Sequence, residues 1–357
     1  MSFDYCLSGA RIKMDVERRP NQRTGDQPQG CEMSVILVTP DRYDTIRGTV
    51  QALRRQSVRQ KMELVVVGPS KSNLGLIKSD FDGFYGYKVL ELGDMTLASA
   101  QAAGIRAARA PIIAFTEDHC FPAEQWAEAL IKRHEEPWAG VGPTMKNANP
   151  ESTVSWANFI MKYGRWIQPL PKSPSGIIPG HNSSYKRDLL LQYGSELDGW
   201  LENETTMQWD LIARGHRFYV EPKAIAHHLN YSRFWISVWN RVNSGRVFAA
   251  RRSHGWSRFL RAAYLLGLPL ILVKGFVEIM PRARDLVGLS RSIRLLPCFF
   301  MLLLSHCLGE MIGCLAGAGP GPRKATANEF HRERFLNERD QRLARNVDQL
   351  IDGFQSH

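Results

Sequence analysis

Short unbroken apolar runs alternate along this chain with longer stretches in which apolar residues return every third or fourth position. Residues 34–39 (SVILVT) and 63–68 (ELVVVG) read as buried strands, 87–92 as a third and 112–116 as a fourth. Between them, residues 44–56 place Ile46, Val50 and Leu53 at helical spacing, and alanine-rich 96–110 is helical until Pro111. Gly68-Pro69-Ser70 stops the second strand. Strands alternating with helices on short links predict an α/β fold with a mostly parallel sheet covered on both faces. Pro122 and Glu124 suit the first turn of a following helix.

Beyond residue 138 the pattern loosens. Residues 140–144, 218–221 and 224–228 read as further strands, and 180–185 as a turn into a short helix over 186–192. The four prolines of 169–179 predict a mobile loop, and 198–204 (DGWLENE) a tight acidic loop before a helix that ends at Arg214-Gly215. Two apolar segments follow, 259–273 and 295–308, interrupted or bounded by Lys274, Pro297 and His306. Neither supplies the ~18–20 uninterrupted apolar residues of a membrane span. The link between them carries Arg282, Arg284, Arg291 and Arg294. A spanning hairpin would put that link outside, against the positive-inside tendency, so an interfacial or re-entrant hairpin on the cytoplasmic leaflet is expected. Two ordinary core helices are the plain alternative. The expected organisation is a disordered arm over 1–32, an α/β domain over 33–258, an apolar helical hairpin over 259–317 and a polar helical tail over 318–357. In the tail Phe335, Leu343, Val347, Leu350 and Phe354 form a thin apolar stripe.

Charge sharpens the membrane expectation. The net charge is +11, and residues 231–261 carry seven arginines and no acid. A basic belt beside apolar segments fits an anionic membrane surface, and no nucleic-acid partner is expected. Six cysteines show no metal-type spacing, which argues for a reducing compartment and against a disulfide framework. Residues 1–29 show no signal-peptide pattern.

The candidate chemistry is concentrated at 112–122 (IIAFTEDHCFP), where an apolar run breaks into Glu117, Asp118 and His119. In an open α/β sheet the carboxyl edge of the strands is where ligands bind. Side chains alternate along extended backbone, so Glu117 and His119 would point one way and Asp118 the other. Such a trio could hold a divalent metal against a diphosphate; a polar turn closing a buried strand is the plain alternative.

Six stretches, VILVTPDRYDTIRGTVQALRRQS, ELVVVG, ASAQAAGI, IIAFTEDHCFP, GHNSSYKRDLL and LENETTMQWDLIARGHRFYVEP, resemble in order and spacing the family 2 glycosyltransferases. The resemblance covers about residues 34–260, and 308–319 (LGEMIGCLAGAG) resembles the membrane-proximal end of bacterial members. It implies the GT-A fold, a Rossmann-like sheet with an acceptor-binding half. The implied reaction moves a sugar, usually with inversion, from a nucleotide-diphosphate donor to a hydroxyl of a lipid-linked or surface-glycan acceptor. The implied place is the cytoplasmic face of the cell membrane, in polysaccharide biosynthesis.

The chemistry asks for Mg²⁺ or Mn²⁺ to neutralise the leaving diphosphate and for a base near the acceptor hydroxyl. By resemblance, Glu117 and His119 occupy the outer positions of the DxD motif. His119 would replace a metal-binding carboxylate, with Asp118 able to take over if the loop turns. His227-His228 matches a position where a metal-ligating histidine is common, and His228 is the candidate; a plain surface pair is the alternative. Glu204 falls on the catalytic base and Glu202 is the runner-up, although acids ahead of a helix also serve its dipole. Asn182 and Ser183 match groups presented to the sugar or phosphate, and Thr39, Pro40, Asp41 and Gln101 match the donor pocket. The chain departs from the family at Gly68 and Ala102, where polar residues are usual. Gln208-Trp209 lacks the arginine of processive synthases. The competing reading is a non-catalytic GT-A-like sugar-nucleotide-binding or scaffold protein. Nucleotidyl transfer would need a phosphate loop that VTPDRYDT does not supply.

Overall fold

A computed structural model describes residues 5–7, 10–15, 30–93, 95–170 and 176–355. Most of the expected arm, and residues 171–175 of the proline-rich loop, lie outside the described residues. By contacts the chain divides into two units. One comprises Met1–Lys146, Gln168–His228 and Asn346–His357, the other Asn147–Ile167 and Leu229–Arg345. Residues 258 and 318 both lie inside the second of these units.

The first unit holds the sheet. Its strands are β1 (Tyr5–Leu7), β2 (Ala10–Asp15), β3 (Met33–Val38), β4 (Met62–Gly68), β5 (Gly86–Glu91), β6 (Ile112–Phe115), β7 (Cys120–Pro122), β8 (Gly140–Asn147), β9 (Ser184–Lys186) and β10 (Phe218–His228). They lie in the order β1-β2-β5-β4-β3-β6-β9-β8-β10-β7. β3, β4, β5 and β6 pair parallel, as their unbroken apolar runs predict, and every residue of β3, β4 and β6 is buried. The mostly parallel expectation stops there. β1 with β2, β2 with β5, β6 with β9, β8 with β9 and β10 with β7 pair antiparallel, so the sheet is mixed.

Local chemistry explains the elements that position the site. The helix Leu97–Ala107 opens on a capping box between Thr96 and Ser99. Its Gly104 lies against β3, where a Cβ would stand 2.7 Å from Ile36 Cγ2, so only glycine allows this approach. β10 is one eleven-residue strand where two short ones were expected. Pro222 lies within that strand, outside the Ala226–His228 stretch that pairs with β7. Residues 120–122 form β7 rather than a helical turn, and the helix begins at Trp126. The terminal helix Val347–Gln355 packs on this unit through Arg55, whose Nη1 lies 2.5 Å from Asp352 Oδ1.

The second unit is helical: Thr153–Tyr163, Phe234–Arg252, Arg258–Ala316, Gly321–Glu329 and Glu338–Arg345. Asn149 donates to Asp340 Oδ2 at 2.8 Å and to the Asn230 carbonyl at 2.9 Å, tying the last of these helices into the unit. Arg258–Ala316 is broken at Gly288 by φ 77° and ψ 164°, a conformation open to glycine. The two halves run antiparallel about that point. Arg261 reaches the Cys314 carbonyl, Tyr264 donates to Glu310 and the Phe276 and Phe300 rings meet, which is the apolar hairpin expected.

Candidate active site

The parallel register brings the carboxyl ends of β3, β4 and β6 to one edge, since Ile36 pairs with Phe115 and Val38 with Val67. β6 ends at Phe115, the chain turns through Glu117, Asp118 and His119, and β7 then runs back against β10. The register sets Cys120 opposite His228, which carries that imidazole to the turn. Three donor groups converge there. His119 Nε2 lies 3.6 Å and His228 Nε2 3.3 Å from Glu117 Oε2, and the two imidazole rings meet edge to face. All three side chains are almost fully buried. His227 points elsewhere: its ring stacks on Phe354 at 3.8 Å, and burial, then Lys146, push its pKa down to about 3. Of the adjacent pair, only His228 joins the cluster.

Glu117 and His119 are each held by further contacts. Asn182 Nδ2 donates to Glu117 Oε2 at 2.6 Å. Thr49 Oγ1, from the helix Tyr43–Arg54, donates to the Glu117 carbonyl at 2.8 Å and fixes the turn. Asp118 Oδ1 lies 2.5 Å from His119 Nδ1, so it stands behind the imidazole rather than among the three converging donors. A carboxylate on the far nitrogen of a metal-binding histidine is the usual way to fix ring orientation and tautomer.

These residues fit a divalent metal. The three ligand atoms lie within 4.8 Å of one another. Donors that share an ion at about 2.0–2.2 Å stand roughly 3–3.6 Å apart, close to the separations from Glu117 Oε2. Two imidazoles and a carboxylate favour a first-row transition ion, whereas Mg²⁺ prefers a set made of oxygens.

The second acid of interest is also in place. Asn203 caps the helix Glu204–Ala213 by accepting from the Thr206 amide, which sets Glu204 in its first turn. Glu204 is nearly buried, with Oε1 2.5 Å from His181 Nδ1, and a Cβ on Gly180 would meet its side chain at 3.0 Å. Glu204 and burial both keep the Tyr185 phenol protonated, burial being the larger cause. Glu202 is exposed at the end of the preceding short helix. His181 and Asn182 are neighbours in sequence, so one peptide link separates the group beside Glu204 from the group bonded to Glu117.

The other expected donor-pocket residues stand at the same sheet edge but are engaged locally. Thr39 Oγ1 donates to the Arg42 carbonyl at 2.6 Å, and Asp41 Oδ1 accepts from Thr45 Oγ1 at 2.8 Å. Pro40, between them, is partly exposed. Gln101 is buried on the helix Leu97–Ala107, and its Oε1 has no hydrogen-bond partner among the described residues. Ser183 donates to the Pro179 carbonyl. A Cβ on Gly68 would stand 3.3 Å from the Thr39 methyl, so a larger residue there would crowd Thr39. Gln208 is likewise structural, bonded to both backbone groups of Ile178 and to the Tyr185 hydroxyl.

Sequence reasoning passed over His181 and Thr49. A histidine directly before Asn182 in the GHNSS loop was the available signal for the first. Thr49 sits among ordinary helix residues, and nothing in the sequence marks its contact 68 residues away.

No curated protein matches the chain by sequence. Among solved structures, a mannosyltransferase from Pyrobaculum calidifontis, described in complex with GDP-Man and Mn²⁺, is similar at 15% identity. That match covers 84% of this chain and 90% of that one, with a TM-score of 0.49. TarS of S. aureus is similar at 15% identity over 79% of this chain and 55% of that one, with a TM-score of 0.39. Residues 34–194, which include β3 to β9 and the Glu117–His119 turn, match the family described as Glycosyl transferase family 2. Over that segment, and on that match, the chain is similar to the family 2 glycosyltransferases.

Proposed function

We propose that the protein transfers a sugar, with inversion, from a nucleotide-diphosphate donor to a hydroxyl of a lipid-linked or surface-glycan acceptor at the cytoplasmic face of a bacterial membrane. The observation that carries this reading is the linkage of two chemistries through one loop. Asn182 holds Glu117 in the Glu117–His119–His228 cluster, and His181 contacts Glu204. The first site suits a diphosphate leaving group and the second an acceptor hydroxyl.

Glu117, His119 and His228 would hold Mn²⁺, with Mg²⁺ the poorer fit to two imidazoles. When bound, the ion supplies positive charge for the departing diphosphate. The remaining work falls to the chain. Glu204, the general base, takes the proton from the acceptor hydroxyl as that oxygen bonds to the anomeric carbon. The bond from that carbon to the diphosphate breaks, and the diphosphate leaves with the electron pair. Burial of Glu117 and Glu204 strengthens these electrostatic effects by excluding water. Asn182 keeps Glu117 aimed, and the Thr49 bond keeps the turn from opening.

The test is a panel of sugar nucleotides assayed for donor hydrolysis and binding with Mn²⁺, Mg²⁺ and chelator. One donor is expected to bind and turn over with Mn²⁺, and Glu117→Ala and Glu204→Gln to lose turnover. Full activity of Glu204→Gln would remove the base assignment, and unchanged turnover in chelator would remove the metal.

A further inference from the structure

Both arms of the hairpin in the helical unit present rows of large apolar side chains to solvent. On the first arm Phe259, Leu266, Leu270, Val273 and Val277 are exposed, Leu266 at 82%. On the second arm Leu289, Ile293, Phe300, Leu308, Met311 and Leu315 continue the row. The spacing of three and four residues is that of one helix face, and a patch this long calls for a partner. Trp235 and Trp239, on the helix Phe234–Arg252, are also exposed.

The reverse side of the hairpin is already covered. Near the second arm's end, Gly309 and Gly313 lie against the helix Phe234–Arg252 so closely that a Cβ on either would stand 2.1 Å from the Val242 or Arg246 carbonyl oxygen. Near the tip, Ala283, Leu295, Phe299 and Leu302 pack with Ala157 and Ile160. Arg282 donates to the carbonyls of Gly164 and Ile167, and Arg291 to that of Pro150 at 2.5 Å. The helices that form this bed carry Asn158, Asn240, Arg241, Asn243 and Arg246. A hairpin crossing a bilayer would draw those polar groups into hydrocarbon, at high cost. Lying flat, it would bury only the exposed rows.

We propose that these two rows seat the protein in one leaflet of an anionic bilayer, parallel to the membrane plane and without spanning it. Charge selects the occupant. Arg241, Arg246, Arg261 and Arg282 are bonded to backbone carbonyls inside the unit, whereas Arg233, Arg252, Arg258, Arg284 and Arg294 are exposed. Exposed arginines along apolar rows match a surface of anionic head groups, and exposed tryptophans match the head-group level. A second copy of the chain docked through the same rows would bring these arginines against their own counterparts.

The experiment uses the full chain with vesicles of phosphatidylglycerol and phosphatidylcholine, and with phosphatidylcholine alone. Co-sedimentation is expected to be at least tenfold stronger on the anionic vesicles. The double variant Leu266→Glu with Leu270→Glu, changed at exposed positions, is expected to lose that binding tenfold while its thermal melt and lipid-free donor hydrolysis stay unchanged. Spin labels at positions 266, 277, 293 and 308 are expected at similar shallow depths of roughly 5–10 Å. Absence of vesicle binding, depths that peak midway along each arm, or a lipid-free dimer abolished by the double variant would each overturn the proposal. Because hydrolysis is read without lipid, failure here leaves the reaction assignment standing, and the converse also holds.

Discussion

Asp118 Oδ1 stands 2.5 Å from His119 Nδ1, and Nε2 of the same ring is the atom that faces Glu117 Oε2, 3.6 Å away. The relationship converts an acid next to a histidine into an orienting pair. With Nδ1–H donated to Asp118, the lone pair of Nε2 is left for an ion. Asp118→Asn is therefore expected to lower Mn²⁺ affinity by about 10–100-fold while the fold melts normally. Titration calorimetry with Mn²⁺ checks it, and unchanged affinity would show that Asp118 does not orient the ring.

His119 also bears on which ion is chosen. Replacing it by a carboxylate, His119→Asp, changes the donor set from two imidazoles and one acid to one imidazole and two acids. The ratio of Mn²⁺ to Mg²⁺ affinity is expected to fall by about tenfold or more, because Mg²⁺ prefers oxygen ligands. Competition between the ions, followed by Mn²⁺ paramagnetic resonance, measures the ratio directly.

Glu204 and His181 separate by kinetics. Glu204→Gln keeps the shape and removes the proposed base, so kcat is expected to fall about 10²–10⁴-fold with KM little changed. His181→Ala should lower kcat less, and His181→Gln, which keeps a polar side chain beside the carboxylate, should recover part of the loss. Steady-state rates on the active donor decide it. Equal rates for His181→Ala and the unaltered protein would leave His181 without a part in the reaction.

Much of the fold could be read from the chain because its central strands are apolar on both faces, a pattern only a covered parallel sheet accommodates. The flanking antiparallel pairs were not legible. β9 is three residues long and β7 begins with a cysteine, too little for any period to show. At the candidate site, Glu117, His119, His228 and Glu204 can be nominated from the sequence because each lies in a motif at a strand or helix end. The division of labour within the turn cannot, since alternation along a strand says nothing once the backbone turns at Glu117, whose carbonyl accepts from the Cys120 amide at 3.2 Å. Thr49 was invisible for the same reason that Asn182 was ambiguous: a partner distant in sequence leaves no local signal.

His134 gives the core beneath the site a pH dependence. Burial, then the Lys186 charge, push its pKa down to about 3, and Nε2 lies 2.9 Å from Ser184 Oγ. The unfolded histidine titrates near 6.5, so between pH ~6.5 and ~3 the unfolded chain binds a proton that the folded chain refuses. Stability from this residue is present above pH ~6.5 and falls as pH drops through the window, by up to about 1.4 kcal/mol per pH unit. Urea midpoints at pH 7, 6 and 5 should fall more steeply for the unaltered protein than for His134→Asn.

The terminal helix is expected to matter to the metal edge although it lies far away in sequence. Phe354 stacks on His227 with an interplanar angle of 10° and also meets the Phe121 ring, so it clamps β10 to β7 beside His228 and Cys120. Phe354→Ala removes a half-buried ring and should cost about 1–3 kcal/mol of stability, together with a several-fold loss of metal affinity as the strand end loosens. Arg55→Ala removes only the partly exposed pairs with Asp348 and Asp352 and should cost under about 1 kcal/mol, with metal affinity intact. Melting curves and Mn²⁺ titrations of the two variants side by side distinguish a clamp on the site from a helix that merely covers the surface. A Phe354→Ala protein that melts early but binds Mn²⁺ normally would show that β7 and β10 hold His228 without help.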